Sequence, residues 1–303
     1  MLTFRSAWQK LCRAQRFIDE FGAELKAYED SCPYRLLCDA RYNSEVHFLT
    51  FEREFPAFSM MAAGDAIHSM RVALDHCMFS MLMNDQPGRK ADGIYFPTSK
   101  TANDRQAYRA KIAKIGCLQD VADMLENLEA FPGGSGDALF DLHQFDITDK
   151  HRVLIATMEQ CEISGLTEHH NAVGNAATTT SLLTKSYALT VSEGVGSTFG
   201  AHLGMAMLGQ YSKGPDGPKL DTTAAHVRPI VTFREAIGPS RGVSIIELLN
   251  RWCRAVSETI EKFEDIPINR VGFANWHPSI EEGDMCVRYQ HRAALNEAPA
   301  LFP

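Results

Sequence analysis

Apolar residues recur at helical spacing over long stretches of the chain. One predicted amphipathic helix covers residues 5–29 and another covers residues 243–264, where Ser240 is a candidate cap. The apolar face of the second is the clearest in the sequence: Ile245, Leu248, Leu249, Trp252, Val256, Ile260 and Phe263. Further helices are predicted at 58–83, 102–114, 118–129 and 137–149, and prolines, glycines and polar runs mark their ends.

Other segments carry the pattern of strands. Residues 34–54 alternate in part around a Tyr42-Asn43-Ser44 turn, which predicts a β-hairpin. Further strands are predicted at 152–164, 186–193 and 227–234. The polar segment 165–182 is interpreted as a loop, as is the glycine-rich segment 194–200, whose third glycine is one residue late for a dinucleotide-binding turn. The tail from residue 266 is irregular.

These elements predict a helix-dominated α+β fold. We expect a helical-bundle core, with the hairpin and additional strands in the C-terminal half. Two organisations fit the pattern. The first is a mainly helical region 1–150 followed by an α/β region 151–303 that includes the long C-terminal helix. The second is one mixed domain.

Composition and charge limit the class of protein. The 303 residues are 45% hydrophobic and 22% charged, as expected for a globular chain. A net charge of -8 opposes non-specific binding to nucleic acid but leaves room for a local basic site. Eight cysteines without a C-x-x-C pair predict reduced thiols rather than a zinc ribbon. Early charges argue against a signal peptide, and no stretch has the apolar length of a membrane span, so we expect a cytoplasmic protein with no membrane partner.

One predicted helix, 58–83, carries an unusual polar stripe. At about 100° per residue, five side chains fall within one arc of about 140°: Asp65, His68, Arg71, Asp75 and His76. Ordinary solvated faces carry Lys, Glu, Gln and Ser, and this arc has neither Lys nor Glu. Val72, Phe79 and Leu82 share the arc, which predicts a partly covered face, either a site or a structural polar network.

A second polar cluster follows in the predicted helix 137–149. His143, Asp146, Asp149 and Lys150 share one side by the same spacing, and His151 and Arg152 come next. The favourable interaction of cations with a helix C-terminus is the alternative explanation for Lys-His-Arg. We expect the two clusters to face each other, so that Asp146 and Asp149 accept hydrogen bonds from the stripe and Asp65 or Asp75 pairs with Lys150 or Arg152.

Two resemblances rest on these residues. Gly64-Asp65, His68, Arg71 and Ala73-Leu74-Asp75-His76, followed by Asp149-Lys150-His151-Arg152, resemble the paired motifs of a group of uncharacterised bacterial proteins, over about half the chain. Arg71 and His76 in the order Arg-x4-His are similar to the motif of HEPN-domain proteins, helical bundles of bacterial toxin and anti-phage defence systems. The first resemblance implies no activity.

The second resemblance implies a metal-independent ribonuclease that works as a homodimer, with RNA as a partner and without a cofactor. Arg71 would hold the scissile phosphate, and His76 would move protons as the 2′-hydroxyl attacks. His68 and Asp75 complete the catalytic candidates, with Asp65, Asp146, Asp149, Lys150, His151 and Arg152 in support. A non-enzymatic binding or regulatory protein is the alternative. A metal-dependent hydrolase ranks third, because Arg71 in the middle of the stripe would repel a cation.

Overall fold

The computed structural model describes residues 4–41, 44–86, 88–90, 92–100, 105–152, 154, 156–170, 179–188, 204–212, 219–236 and 238–266. Within these residues the chain is a helix-dominated α+β protein. The helices are α1 Arg5–Asp30, α2 Ser59–Asp85, α3 Arg105–Ile115, α4 Gln119–Leu128, α5 Asp137–His151 and α6 Ile245–Glu264. The strands are β1 Tyr34–Arg41, β2 Ser44–Phe51, β3 Ala156–His170, β4 Thr179–Ala188, β5 Gly204–Ser212, β6 Lys219–Asp221 and β7 His226–Phe233. The helical-bundle core remains a prediction.

Helices α1 and α6 follow their apolar periodicity. The predicted apolar face of α6 is buried along its whole length, and Trp252 at its centre stacks at 4.9 Å against Phe145 of α5. Helix α1 buries Leu11, Ile18 and Phe21 in the same way. Both predicted helices are confirmed. An apolar stripe of this width is stable only when it packs against other apolar surface.

Helix α2 is buried on most of its circumference. Ile67, Met70 and Leu74 are fully buried and Met81 is 3% exposed, as the sequence predicted for that face. Asp65 and His68 lie on the exposed side. A helix that is apolar over such a wide arc packs on several sides, and this leaves only a narrow polar strip for chemistry.

The strands of the described residues form two antiparallel sheets, one with the order β1-β2-β5 and one in which β3 pairs with β4, β6 and β7. The predicted hairpin 34–54 is confirmed as β1 and β2. Apolar side chains from both sheets form one buried cluster: Leu49, Phe51, Cys161, Ile163, Leu166, Leu208 and Val227.

Strand β3 extends well beyond the prediction. Residues 165–170 belong to it and residues 179–182 begin β4, so the interpretation of 165–182 as a loop is wrong for these parts. Gly165 allows β3 to continue beyond residue 164. Its φ is +74°, and the register with β4 shifts between Ile163 and Leu166. A Cβ at this position would lie 2.1 Å from the Ala224 carbonyl oxygen.

Strand β5 follows the glycine-rich segment 194–200, and the sequence did not predict a strand there. It pairs along the whole of β2, from Ser44 opposite Ser212 to Phe51 opposite Gly204. Positions 186–188 of the predicted strand 186–193 belong to β4, which begins earlier, at Thr179. Several predictions lie outside the described residues: turn positions 42–43, loop positions 171–178 and 194–200, strand positions 189–193 and the tail beyond 266.

The chain divides into two compact units, each built from separate segments. One unit comprises the chain up to Ile18, the segment Gly64–Val153 and the chain from Leu249; the other comprises Asp19–Ala63 and Leu154–Leu248. The predicted division near residue 150 lies close to the boundary at residues 153 and 154, where the chain passes from the first unit to the second. The choice between a two-part chain and one mixed domain stays a prediction.

Among the described helices, none combines the length and the apolar content that crossing a lipid bilayer requires.

Candidate functional site

Helices α2 and α5 meet within one unit, and their polar side chains form a joint network. We call this network the α2–α5 cluster, defined by the following side chains: Asp65, His68, Arg71, Asp75, His143, Asp146, Asp149 and Lys150. Spacing of three and four places these residues on one side of each helix. The expected meeting of the stripe with the segment 143–152 is confirmed by a direct contact between His68 and Asp146.

Asp146 is the centre of the exposed part of the cluster. Its carboxylate is only 3% exposed, and its two oxygens have different partners: Oδ1 lies 3.0 Å from His68 Nδ1 and Oδ2 lies 2.6 Å from Lys150 Nζ. A carboxylate only accepts, so His68 donates through Nδ1–H. The His68 ring is half exposed, which leaves Nε2 as the nitrogen available to a substrate.

Arg71 forms the buried part of the cluster. Its side chain is 4% exposed, and Nη2 donates both to Asp75 Oδ1 at 2.8 Å and to the Phe96 carbonyl oxygen at 2.9 Å. The same Asp75 oxygen accepts the Phe96 backbone N–H at 2.8 Å. The guanidinium also lies 5.9 Å from the centre of the Phe96 ring. Arg71 and Asp75 thus hold the segment around Phe96, which lies between α2 and α3 and which we call the connector, against α2. This contact covers the polar face of α2.

Burial changes the protonation equilibria of this pair. Loss of solvation lowers the pKa of Arg71, and the charges of Asp75 and Asp146 partly oppose that change. Loss of solvation likewise raises the pKa of Asp75, against the effects of Arg71 and of the Phe96 N–H. Because a guanidinium stays protonated in proteins, the interaction remains a charge-assisted pair.

Carboxylates also crowd the cluster where α5 passes Gly64 of α2. The Asp149 oxygens lie so close to Gly64 that an added Cβ would approach them to 2.8 and 2.9 Å. Burial raises the pKa of Asp149, and the neighbouring charges of Asp146 and Asp65 raise it further. Glycine at position 64 therefore lets α5 approach α2 at this point.

The environment of His143 depresses its pKa. Burial is the largest cause, the charges of Arg71, Lys111 and Lys150 also lower the pKa, and Asp146 opposes them, with the result that the pKa falls to about 4. His143 is therefore neutral at pH 7.

Four buried polar atoms near these residues have no hydrogen-bond partner within the described part of the chain: Arg71 Nη1, His76 Nδ1, His143 Nδ1 and Gln144 Nε2. Each such atom costs on the order of 1–3 kcal/mol in a purely structural network. Folded proteins contain few of them, and they often mark sites.

The partners differ in part from those expected. Arg71 pairs with Asp75 of its own helix, and Lys150 pairs with Asp146 of its own helix, because spacing of four brings these side chains together without crossing to the neighbour. Within the described residues, His76 Nδ1 has no hydrogen-bond partner. His151 and Arg152 lie exposed at the end of α5, and within the described residues no ion pair joins them to α2.

Three contributors were not among the candidate site residues. His143 was recognised on the polar side of α5, and its spacing of three from Asp146 was the available signal. The Phe96 backbone and Lys111, which donates to the Thr98 carbonyl oxygen at 2.6 Å, have no signal in the local pattern. They reach the cluster through the path of the connector.

The cluster can transfer protons through His68, because a buried carboxylate orients the ring and leaves Nε2 accessible. Within the described residues, its carboxylates and histidines do not converge to the spacing of a metal site. Comparison of the chain with family models, with curated proteins and with solved structures gives no match.

Proposed function

We propose that the protein is a metal-independent, cytoplasmic ribonuclease in which His68, oriented by Asp146, performs the acid–base chemistry. The observation that carries the proposal is the 3.0 Å contact between His68 Nδ1 and a carboxylate that is 3% exposed, with the ring itself half open to solvent. A fixed tautomer and an accessible Nε2 are what a general base needs.

RNA is the substrate class that this chemistry suits. In cleavage, His68 Nε2 removes the proton of the 2′-hydroxyl, the O2′–P bond forms and the P–O5′ bond breaks. The leaving 5′-oxygen takes a proton from water, the protonated His68 gives its proton to the resulting hydroxide, and a 2′,3′-cyclic phosphate remains. RNA supplies its own nucleophile, so the reaction needs neither a metal nor a cofactor.

The exposed cation beside His68 is Lys150, whose side chain is 47% exposed and whose Nζ shares the Asp146 carboxylate with the His68 ring. In this proposal Lys150 attracts the phosphodiester toward His68. Asp149, with Asp65 beside it, also lies near His68 and would repel the phosphodiester, which restricts its approach. Arg71 is buried and holds α2 and the segment around Phe96 in position, whereas the HEPN resemblance gives phosphate binding to Arg71 and proton transfer to His76.

A non-enzymatic role is the second candidate, and a specific observation favours it. Arg71 is 4% exposed and is held by Asp75 and the Phe96 backbone, which is the arrangement of a structural clamp. In a binding or regulatory protein the cluster would connect α2, α5 and the connector, and its variants would lose stability without losing any catalysis.

The test is incubation of the purified protein with single-stranded RNA in EDTA. We expect cleavage to products with a 2′,3′-cyclic phosphate, and no cleavage of 2′-O-methyl RNA of the same sequence. Substitution of His68 by Ala should lower the rate about 100-fold or more, and Asp146→Asn should lower it less. The control is His226→Ala, which removes an exposed histidine of β7.

The outcomes separate the candidates. Loss of activity in His76→Ala with activity retained in His68→Ala would favour the direct HEPN assignment. Cleavage that EDTA abolishes would favour the metal-dependent alternative. No cleavage by the wild type, or equal rates for His68→Ala and His226→Ala, removes the ribonuclease proposal and leaves the binding role.

The HEPN resemblance also supports a homodimer, since in that family the Arg and His come together across the interface. Light scattering at micromolar protein should then give twice the chain mass of 33.7 kDa. A monomer would remove the composite version of the site and would leave the His68 version, which one chain completes.

A further inference from the structure

The β1–β2 hairpin carries a second set of chemically active side chains, separate from the α2–α5 cluster. Strand pairing places Cys38 directly opposite His47 and Ala40 directly opposite Glu45. Residues two apart on a strand point to the same side, so Cys38, Glu45 and His47 share one face of the sheet.

The three potential ligand atoms lie close together. Cys38 Sγ is 3.9 Å from His47 Nε2, and His47 Nε2 is 4.0 Å from Glu45 Oε2. All three lie within 4.8 Å of one another. Tetrahedral zinc with ordinary bond lengths needs ligand atoms about 3.4–3.7 Å apart. Two of the three pairs exceed this range by a few tenths of an ångström and the third lies within 4.8 Å, so small side-chain rotations would bring the three atoms to ligand distances.

The set lies where an apolar face ends. Along β2 the same face carries the fully buried Leu49 and Phe51, and Leu36 of β1 packs against their cluster. Cys38 is exposed, while the His47 side chain is 12% exposed and that of Glu45 is 42% exposed. One flank of the set is therefore shielded from water and the other is open to a ligand.

His47 is held in place from the side. The ring of Tyr211 on β5 meets it edge to face, with centroids 5.6 Å apart, and the Tyr211 hydroxyl donates to Glu168 Oε1 at 2.8 Å. An imidazole fixed by packing presents its Nε2 in one direction, and this reduces the entropy lost when a metal binds.

We propose that Cys38, Glu45 and His47 form a zinc-binding site on the hairpin. A thiolate, an imidazole and a carboxylate together suit Zn²⁺ better than Mg²⁺ or Ca²⁺, which prefer oxygen ligands alone. Three protein ligands leave the fourth position to water or to a small anionic ligand. A structural zinc site would occupy all four positions with protein, so this site is of the open kind.

A surface ion pair between Glu45 and His47 is the ordinary alternative. It accounts for two of the three side chains, and a weak Cys38 S–H···N hydrogen bond to His47 Nε2 at 3.9 Å adds the third. Exposed pairs also contribute little to stability. The zinc site accounts for all three groups through one ligand.

The experiment uses the full-length protein, stripped of metal with a chelator and kept reduced. Zn²⁺ binding is measured by titration against a competing chromophoric chelator. Co²⁺ is added separately, because thiolate-to-Co²⁺ charge-transfer absorption reports directly on sulfur ligation. We expect one high-affinity ion per chain, and a charge-transfer band that disappears in Cys38→Ser.

Substitution of any ligand should weaken Zn²⁺ binding by at least about 100-fold, since even the loss of groups behind a metal ligand costs about 10–100-fold. Cys32→Ser is the matched control, because Cys32 is another exposed cysteine just before β1. It should leave binding unchanged. Glu45→Gln is the second test variant, since it changes an accessible side chain without removing the thiol or the ring.

Several results would overturn the proposal. These are absence of high-affinity Zn²⁺ binding in the wild type, wild-type affinity in Cys38→Ser or Glu45→Gln, or an equal loss in Cys32→Ser. Circular dichroism of each apo variant shows whether it is folded before the titration is interpreted.

Discussion

Gly64 on α2 provides a direct test of the close approach of α5. In most helix interiors, replacing Gly by Ala stabilises the protein because alanine loses less backbone entropy on folding. At position 64 the new Cβ would lie 2.8 and 2.9 Å from the two Asp149 carboxylate oxygens. The effect of Gly64→Ala should therefore depend on whether Asp149 is present.

The magnitude follows from two opposing contributions. The helix-propensity gain is about 1 kcal/mol. Moving the Asp149 side chain away from its preferred rotamer costs about 0.5–1.5 kcal/mol. We therefore expect Gly64→Ala to change the free energy of unfolding little in the wild type, and to raise it by about 1 kcal/mol in an Asp149→Ala background. The coupling between the two sites is then about 0.5–1.5 kcal/mol.

Urea denaturation of the wild type, both single variants and the double variant gives this coupling. The matched control is Gly22→Ala in α1, where the nearest atom to an added Cβ is Ile246 Cδ1 at an ordinary 3.7 Å. Gly22→Ala should be additive with Asp149→Ala. If Gly64→Ala stabilises both backgrounds equally, Asp149 does not lie against Gly64, and the packing of α2 on α5 described above is wrong.

Two further predictions concern the buried part of the same cluster. Arg71→Met leaves the Asp75 carboxylate buried without its cation. The free energy of unfolding should therefore fall by about 3–5 kcal/mol. A loss below about 1 kcal/mol would contradict the description of Arg71 and Asp75 as a structural clamp. Burial lowers the pKa of His143 from 6.5 to about 4, so between these values the unfolded chain binds more protons and stability should fall as pH falls from 6.5 toward 4. With allowance for partial screening by solvent, the loss should be about 1–2 kcal/mol, and His143→Gln should remove it; parallel pH profiles of the two proteins would refute the assignment.

The sequence predicted the helices well because their apolar stripes are local. Helices α1, α2 and α6 each begin and end within about two residues of the predicted limits. The strands of the C-terminal half were harder. Strand β3 includes the polar residues Glu168 and His169, and β5 contains glycines, because pairing with neighbours distant in sequence overrides local preference there.

The candidate site was predictable in outline for the same reason. Spacing of three and four identified both polar faces, and the contact of His68 with Asp146 follows from their complementary chemistry. The clamp of Arg71 by the Phe96 backbone depends on the path of a connector that has no periodicity. The meeting of Cys38 with His47 depends on hairpin register, so a search of the sequence for C-x-x-C pairs does not detect it.

The interleaving of the two units has a consequence for synthesis on the ribosome. Trp8 Nε1 donates to Glu264 Oε1 at 3.0 Å across 256 positions, and the rings of Phe4 and Phe263 are 6.0 Å apart. The unit that contains α2 and α5 therefore cannot close until α6 has emerged, whereas the segments of the other unit are complete at Leu248. The apolar faces of its helices remain exposed through most of translation, so we expect the nascent chain to bind chaperones.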